Sequence, residues 1–153
     1  MQSQLIPLIL GISVASLAVA GWLVRWVLAK DTGTKEMRAI SDAIKEGAEA
    51  FLRRQNRTII VLAGALAVLI FVLYGFVRSH HEFDPVSSRL AMAFWITVSF
   101  ALGAACSVIA GYVGMWVSIR TNIRTASAAR TSLNDALRVA LRGGAVSGLF
   151  VVA

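Results

Sequence analysis

Three stretches of this chain carry no charged side chain: Leu5 to Val24, Thr58 to Val77 and Leu90 to Ile119. Each can cross a bilayer as a helix, which takes about 20 apolar residues. A soluble domain of this length has no interior large enough to hide three such cylinders. The composition agrees, with 58% hydrophobic and 15% charged residues, against about 25% charged in an ordinary globular domain. The chain therefore reads as an integral membrane protein.

The position of the charge sets the topology. Of the 15 Lys and Arg residues, all but Arg78 and Arg89 lie in the first and third gaps between apolar runs. Cytoplasmic loops carry the excess of Lys and Arg, so those gaps are placed in the cytoplasm and the N-terminus outside. Arg53, Arg54, Arg57, Arg120 and Arg124 flank the apolar runs on that side and serve as anchors at an anionic lipid surface. The net charge of +7 is thus topological, and with no basic-aromatic stacking pattern it gives no reason to expect nucleic acid. Met1-Gln2-Ser3-Gln4 has no positive side chain, while Arg25 and Lys30 follow the first apolar run. A signal peptide has the reverse order, so the first helix is read as retained despite Ala18-Val19-Ala20.

Helix boundaries follow from the punctuation. The first helix is expected from 5 to 30, with Pro7 in its first turn and Trp22 and Trp26 near the interface. Asp31-Thr32-Gly33-Thr34 reads as a turn that caps the next helix. Met37, Ile40, Ile44, Ala48, Phe51 and Leu52 recur at helical steps, and no proline separates them from Thr58. One helix is therefore expected from 34 to 77, roughly 65 Å long and about twice the hydrocarbon thickness. Its basic half must pack on protein or lie along the membrane surface. Asp84-Pro85 reads as the cap of a third helix, 85 to 119. Thr121 to Thr131 reads as a basic connecting segment, and Ser132 caps a fourth helix, 133 to 153. The expected class is all-α transmembrane. Residues 1–153 form the N-terminal part of one polytopic domain, with three helices and the start of a fourth. That last helix supplies only part of a span, so the chain is read as the beginning of a longer protein.

No catalytic, cofactor-binding or metal-binding residue emerges. Glu36, Asp42, Glu46 and Glu49 share a helix with Lys45 and Arg53, which makes a solvated, ion-paired face the simpler reading. His80, His81, Glu82 and Asp84 lack a fixed ligand spacing and read as a hydrophilic loop. Cys106, the single cysteine, reads as packing, and Gly143-Gly144 by itself has no phosphate-binding weight. Gly103, Ser107 and Gly111 recur at steps of four, with Gly114 three further on. This small-residue stripe is expected to seat a neighbouring helix.

Two stretches carry a family resemblance. Gly33-Thr34-Lys35-Glu36-Met37-Arg38-Ala39-Ile40-Ser41-Asp42-Ala43-Ile44-Lys45-Glu46-Gly47-Ala48-Glu49-Ala50-Phe51-Leu52-Arg53-Arg54-Gln55 resembles the first cytoplasmic segment of membrane-bound, ion-pumping pyrophosphatases. Gly111-Tyr112-Val113-Gly114-Met115, then Asn122-Ile123-Arg124-Thr125-Ala126 and Arg142-Gly143-Gly144-Ala145-Val146, are similar to that family's third-to-fourth helix region. The resemblance implies a longer protein of sixteen membrane helices, working as a homodimer. It hydrolyses cytoplasmic pyrophosphate with Mg2+ and pumps H+ or Na+, with K+ as an open further requirement. The family's aspartate-rich motifs do not occur here, so the segment is expected to be structural and to belong to the outer ring of helices. Its expected partners are the lipid bilayer and the remaining helices of the same protein, and its expected location a bacterial inner membrane. A small membrane scaffold and the first part of a secondary transporter are the alternatives.

Overall fold

A computed structural model describes residues 2–78 and 88–153. The expected cap at Asp84-Pro85 and the His80–Asp84 loop lie outside the described residues. Four α-helices follow one another: α1 (Gln2–Leu28), α2 (Lys35–Val72, carried on by a π-helical turn, Leu73–Val77), α3 (Arg89–Ala129) and α4 (Leu133–Val152). No strand occurs among the described residues. Leu5–Leu28, Lys35–Val77 and Arg89–Ala129 are long and apolar enough to cross a membrane.

The chain divides into two compact units, Met1–Ala50 with Ile109–Ala153, and Phe51–Val108. In the first, α1 packs on α4. Ala20, Leu23, Val117 and Val146 form its buried cluster, flanked by Val24, Val113, Trp116, Leu149 and Phe150. Lipid tails are as apolar as these side chains, so close van der Waals fit has to hold the helices. Small residues supply it. Ser147 Oγ lies 3.4 Å from the Gly114 carbonyl oxygen, and Gly143 lies directly against Thr121. Thr121 in turn donates to the Val117 carbonyl at 2.8 Å, so its buried hydroxyl is satisfied.

In the second unit, Gly75 admits Leu90 Cδ2 and Ala93 Cβ, which would stand 3.5 and 3.6 Å from a side chain placed there. Ala93 is fully buried. The π-turn closes through the Arg78 N–H to the Leu73 carbonyl at 2.8 Å, a five-residue step. The Arg78 guanidinium lies 5.5 Å from the Tyr74 ring centroid.

Four boundaries differ from the sequence reading by two residues or more, the third helix starting at Arg89, with Ser88 outside it, instead of at 85. α1 starts at Gln2 instead of Leu5, so Pro7 falls beyond its first turn and removes one intrahelical donor. Its last turn closes at Leu28, two residues early. The third helix runs to Ala129 instead of stopping at Ile119. Thr121 to Ala129 holds neither Gly nor Pro and includes Ala126, Ala128 and Ala129. Its basic side chains therefore change the environment of the helix without ending it. The helix closes through tight bonds from the Arg130 and Thr131 N–H groups to the Ser127 and Ala128 carbonyls. Ser132 then caps α4 as expected, accepting from the Asp135 N–H at 3.3 Å.

On the apolar face of α2's basic half Leu52 is buried and Met37 half-buried, while Ile40, Ile44 and Phe51 are exposed. Ile40 and Ile44 are 64% and 57% exposed.

Candidate functional site

The charged ends of the first and third apolar runs come together in the first unit. The α1–α2 turn is built on Asp31, whose carboxylate accepts from the Gly33 N–H at 2.9 Å. Gly33 takes φ of 74°, the left-handed conformation that glycine adopts without cost. Thr34 Oγ1 accepts from the Met37 N–H at 3.4 Å and starts α2.

This turn is tied to α3. Ser127 Oγ donates to the same Asp31 oxygen at 2.6 Å. Arg124 Nη2 donates to the Leu28 carbonyl at 3.1 Å, satisfying one of the open carbonyls at the end of α1. Its Nη1 binds the Arg120 carbonyl at 2.7 Å. Hydrogen bonds from Ser127 and the Gly33 amide hold the Asp31 carboxyl below the usual range for an aspartate.

Above the α1–α3–α4 contact lies a cavity of ≈ 620 Å³. Lys30, Arg124, Arg130, Arg138 and Arg142 line it, against the two acids Asp31 and Asp135. Trp26 forms part of the wall, with Lys30 Nζ 4.3 Å and the Arg142 guanidinium 4.0 Å from its ring centroid. Asp135 is paired with Arg138 at 3.8 Å. A smaller hollow of ≈ 230 Å³ between the start of α2 and α3 holds Arg38, Lys45, Arg120 and Arg124 with Asp42.

The sequence-predicted positions separate here. Of the small-residue stripe, Gly114 is buried against α4. Gly103 and Gly111 have nothing within 4 Å of where a side chain would begin, and Ser107 is exposed. Gly111 is turned about 60° from Gly114 around the helix, enough to miss the same neighbour. Of the five anchor residues, Arg120 and Arg124 line hollows, and Arg120 lies over the Trp116 ring at 3.8 Å. Arg53, Arg54 and Arg57 are exposed on α2.

Trp26, Arg142, Ser127 and Thr121 were not singled out as site residues from the sequence. Their partners are distant in the chain, and only the placement of Trp26 at a span end gave a signal. Among the described residues no group of three or more His, Cys, Asp or Glu could hold a metal ion. The acids of α2 form no such group.

The architecture defines a polytopic helical integral membrane protein with a strongly basic face. The profile of the inorganic H+ pyrophosphatase family matches residues 14–153. The chain belongs to that family. It is 46% identical to pyrophosphate-energized membrane proton pump 3 of Arabidopsis thaliana, over 98% of this chain and 19% of that protein. It is 45% identical to the K(+)-insensitive pyrophosphate-energized proton pump of Caldanaerobacter subterraneus subsp. tengcongensis, over 97% of this chain and 20% of the other. A protein of the same description from Methanosarcina mazei is 40% identical over 90% of this chain and 18% of its own. The chain spans about a fifth of the length of these curated relatives. No solved structure gives a significant match.

Proposed function

We propose that these helices are the N-terminal part of a pump that hydrolyses pyrophosphate and uses the energy to move protons across a membrane. The observation that carries this reading is the family match across both the apolar spans and the basic segments between them. Relatives from a plant, a bacterium and an archaeon all carry names of pyrophosphate-energized proton pumps, which favours H+ over Na+. Two of those names include K(+)-insensitive, which favours activity without K+. The segment's own role is structural: no acids converge among its described residues, which supports Mg2+ and pyrophosphate being held by the rest of the protein. The bias of Lys and Arg supports an outside N-terminus and a basic face in the cytoplasm of a bacterial cell membrane. A homodimer is the working assembly.

The test uses the full-length protein in inverted membrane vesicles. Pyrophosphate with Mg2+ is expected to be hydrolysed and to acidify the lumen, unchanged when K+ replaces another monovalent salt. Absence of hydrolysis overturns the enzyme assignment. Hydrolysis that requires Na+ and leaves lumen pH unchanged overturns the choice of ion.

A further inference from the structure

We propose that the cavity shared by α1, α3 and α4 binds the phosphate headgroup of an anionic glycerophospholipid. The first ground is charge. Lys30, Arg124, Arg130, Arg138 and Arg142 face two acids, and both acids are engaged. Asp31 accepts from Ser127 and the Gly33 amide, and Asp135 pairs with Arg138. Among the described residues no carboxylate pairs with Lys30, Arg130 or Arg142. The Nε of Arg124, which lines the same cavity, is buried without a hydrogen-bond partner. Like charges gathered this closely repel, and a bound anion removes that cost. Guanidinium groups match a phosphate with two parallel hydrogen bonds, a geometry that suits a phosphodiester.

The second ground is depth. The uncharged run of α1 ends at Val24, two residues before Trp26. That of α3 ends at Ile119, just before Arg120, and α4 becomes apolar after Arg142. Trp26 and Arg142 line the cavity, and the α3 boundary lies one turn from Arg124, which also lines it, so the cavity sits at the level where headgroups lie and where tryptophan rings favour the interface. Trp22 and Val19, one and two turns toward the span, are 58% and 48% exposed and offer acyl chains an apolar track. A soluble anion would need the charge but not this apolar continuation. The volume lies within the roughly 300–1,000 Å³ usual for small-molecule sites and admits a phosphate with its glycerol.

The site depends on the spans and the basic face, and its measurement needs no pyrophosphate hydrolysis. The full-length protein is reconstituted in phosphatidylcholine vesicles and titrated with phosphatidylglycerol or phosphatidylcholine brominated in the acyl chains. The Trp26 signal is the fluorescence quenching lost in Trp26→Phe. Phosphatidylglycerol is expected to quench Trp26 in preference to phosphatidylcholine. That preference should fall roughly fivefold for each of Arg138→Gln and Arg142→Gln. It should persist in Arg53→Gln/Arg54→Gln, whose charges lie outside the cavity. Equal quenching by the two lipids in the wild-type protein overturns the proposal, whatever the variants do. Equal loss in the Arg53/Arg54 pair reduces the effect to diffuse surface attraction and also overturns it. Displacement of phosphatidylglycerol by free phosphate or pyrophosphate makes the cavity a soluble-anion site instead.

Discussion

Ser127 on α3 donates a 2.6 Å hydrogen bond to Asp31 in the turn between α1 and α2, across 96 residues of sequence. The same carboxylate oxygen holds the turn's own amide at Gly33. One side chain thus shapes a turn and fastens it to a neighbouring helix. Both bonds favour the charged carboxylate and depress its pKa below the ordinary value for an aspartate. A depressed folded pKa contributes stability that is fully present above the unfolded value. It is lost as pH falls through the folded value. Ser127→Ala is therefore expected to lower the thermal stability of the full-length protein at neutral pH. The gap from wild type should narrow as pH falls through the depressed folded value, where the carboxyl becomes protonated in both. Thermal unfolding of the two proteins across that range checks it, and a gap that widens on acidification contradicts it.

A second relationship, Gly143 against Thr121, permits a sharper test. A side chain placed on Gly143 would collide with the Thr121 side chain, with its Cβ only 2.9 Å away. Thr121 is buried and its hydroxyl is fixed on the Val117 carbonyl, so it has little room to give. Gly143→Ala is expected to destabilise the protein by about 1–3 kcal/mol. Because the three nearest atoms all belong to Thr121 and alanine keeps the Cβ at 2.9 Å, Thr121→Ala should restore part of the loss in the double variant. Additive losses would mean that another neighbour sets the limit.

What the sequence revealed and what it hid divide along one physical line. The spans were legible because an uncharged run as long as Leu90 to Ile119 has few alternatives to a bilayer. The Asp31–Thr34 turn and the Ser132 cap were legible because their bonds reach only two or three residues. α3 outruns its hydrophobic stretch, which ends at Ile119 while the helix continues to Ala129. Helix propensity carries on through Ala128 and Ala129 after the membrane environment changes. The cavity left almost no trace, since Trp26, Ser127 and Arg142 become neighbours only through the packing of α1, α3 and α4. Gly143 looked like an isolated small residue for the same reason, until Thr121 was found beside it.

Gly33 gives a backbone prediction. Its φ of 74° costs a residue with a Cβ about 1–2 kcal/mol. A Cβ there would also stand 2.7 Å from the flexible Met37 Sδ and 3.3 Å from Ser127 Oγ. Gly33→Ala is expected to lose about that much stability, and Gly33→Val more, because branching at Cβ fits this conformation worst. Equal melting temperatures for Gly33→Ala and wild type would show that the turn rearranges freely.

Gly114 and Gly111 separate the packing inside this segment from packing against other helices. A Cβ on Gly114 would lie 3.0 Å from Ser147 Oγ and 3.8 Å from its Cα, so a larger side chain must push α4 away. Gly114→Leu is therefore expected to lower both membrane yield and thermal stability, by about 1–3 kcal/mol or more if α4 detaches. Gly111 has open space around it in this segment. Damage from Gly111→Leu would have to come from a helix elsewhere in the full-length protein, seated along Gly103, Ser107 and Gly111. Losses in both variants support two helix contacts on α3, one with α4 and one with a later helix. If Gly111→Leu keeps wild-type yield and melting temperature while Gly114→Leu does not, the stripe faces lipid and only Gly114 serves as a seat.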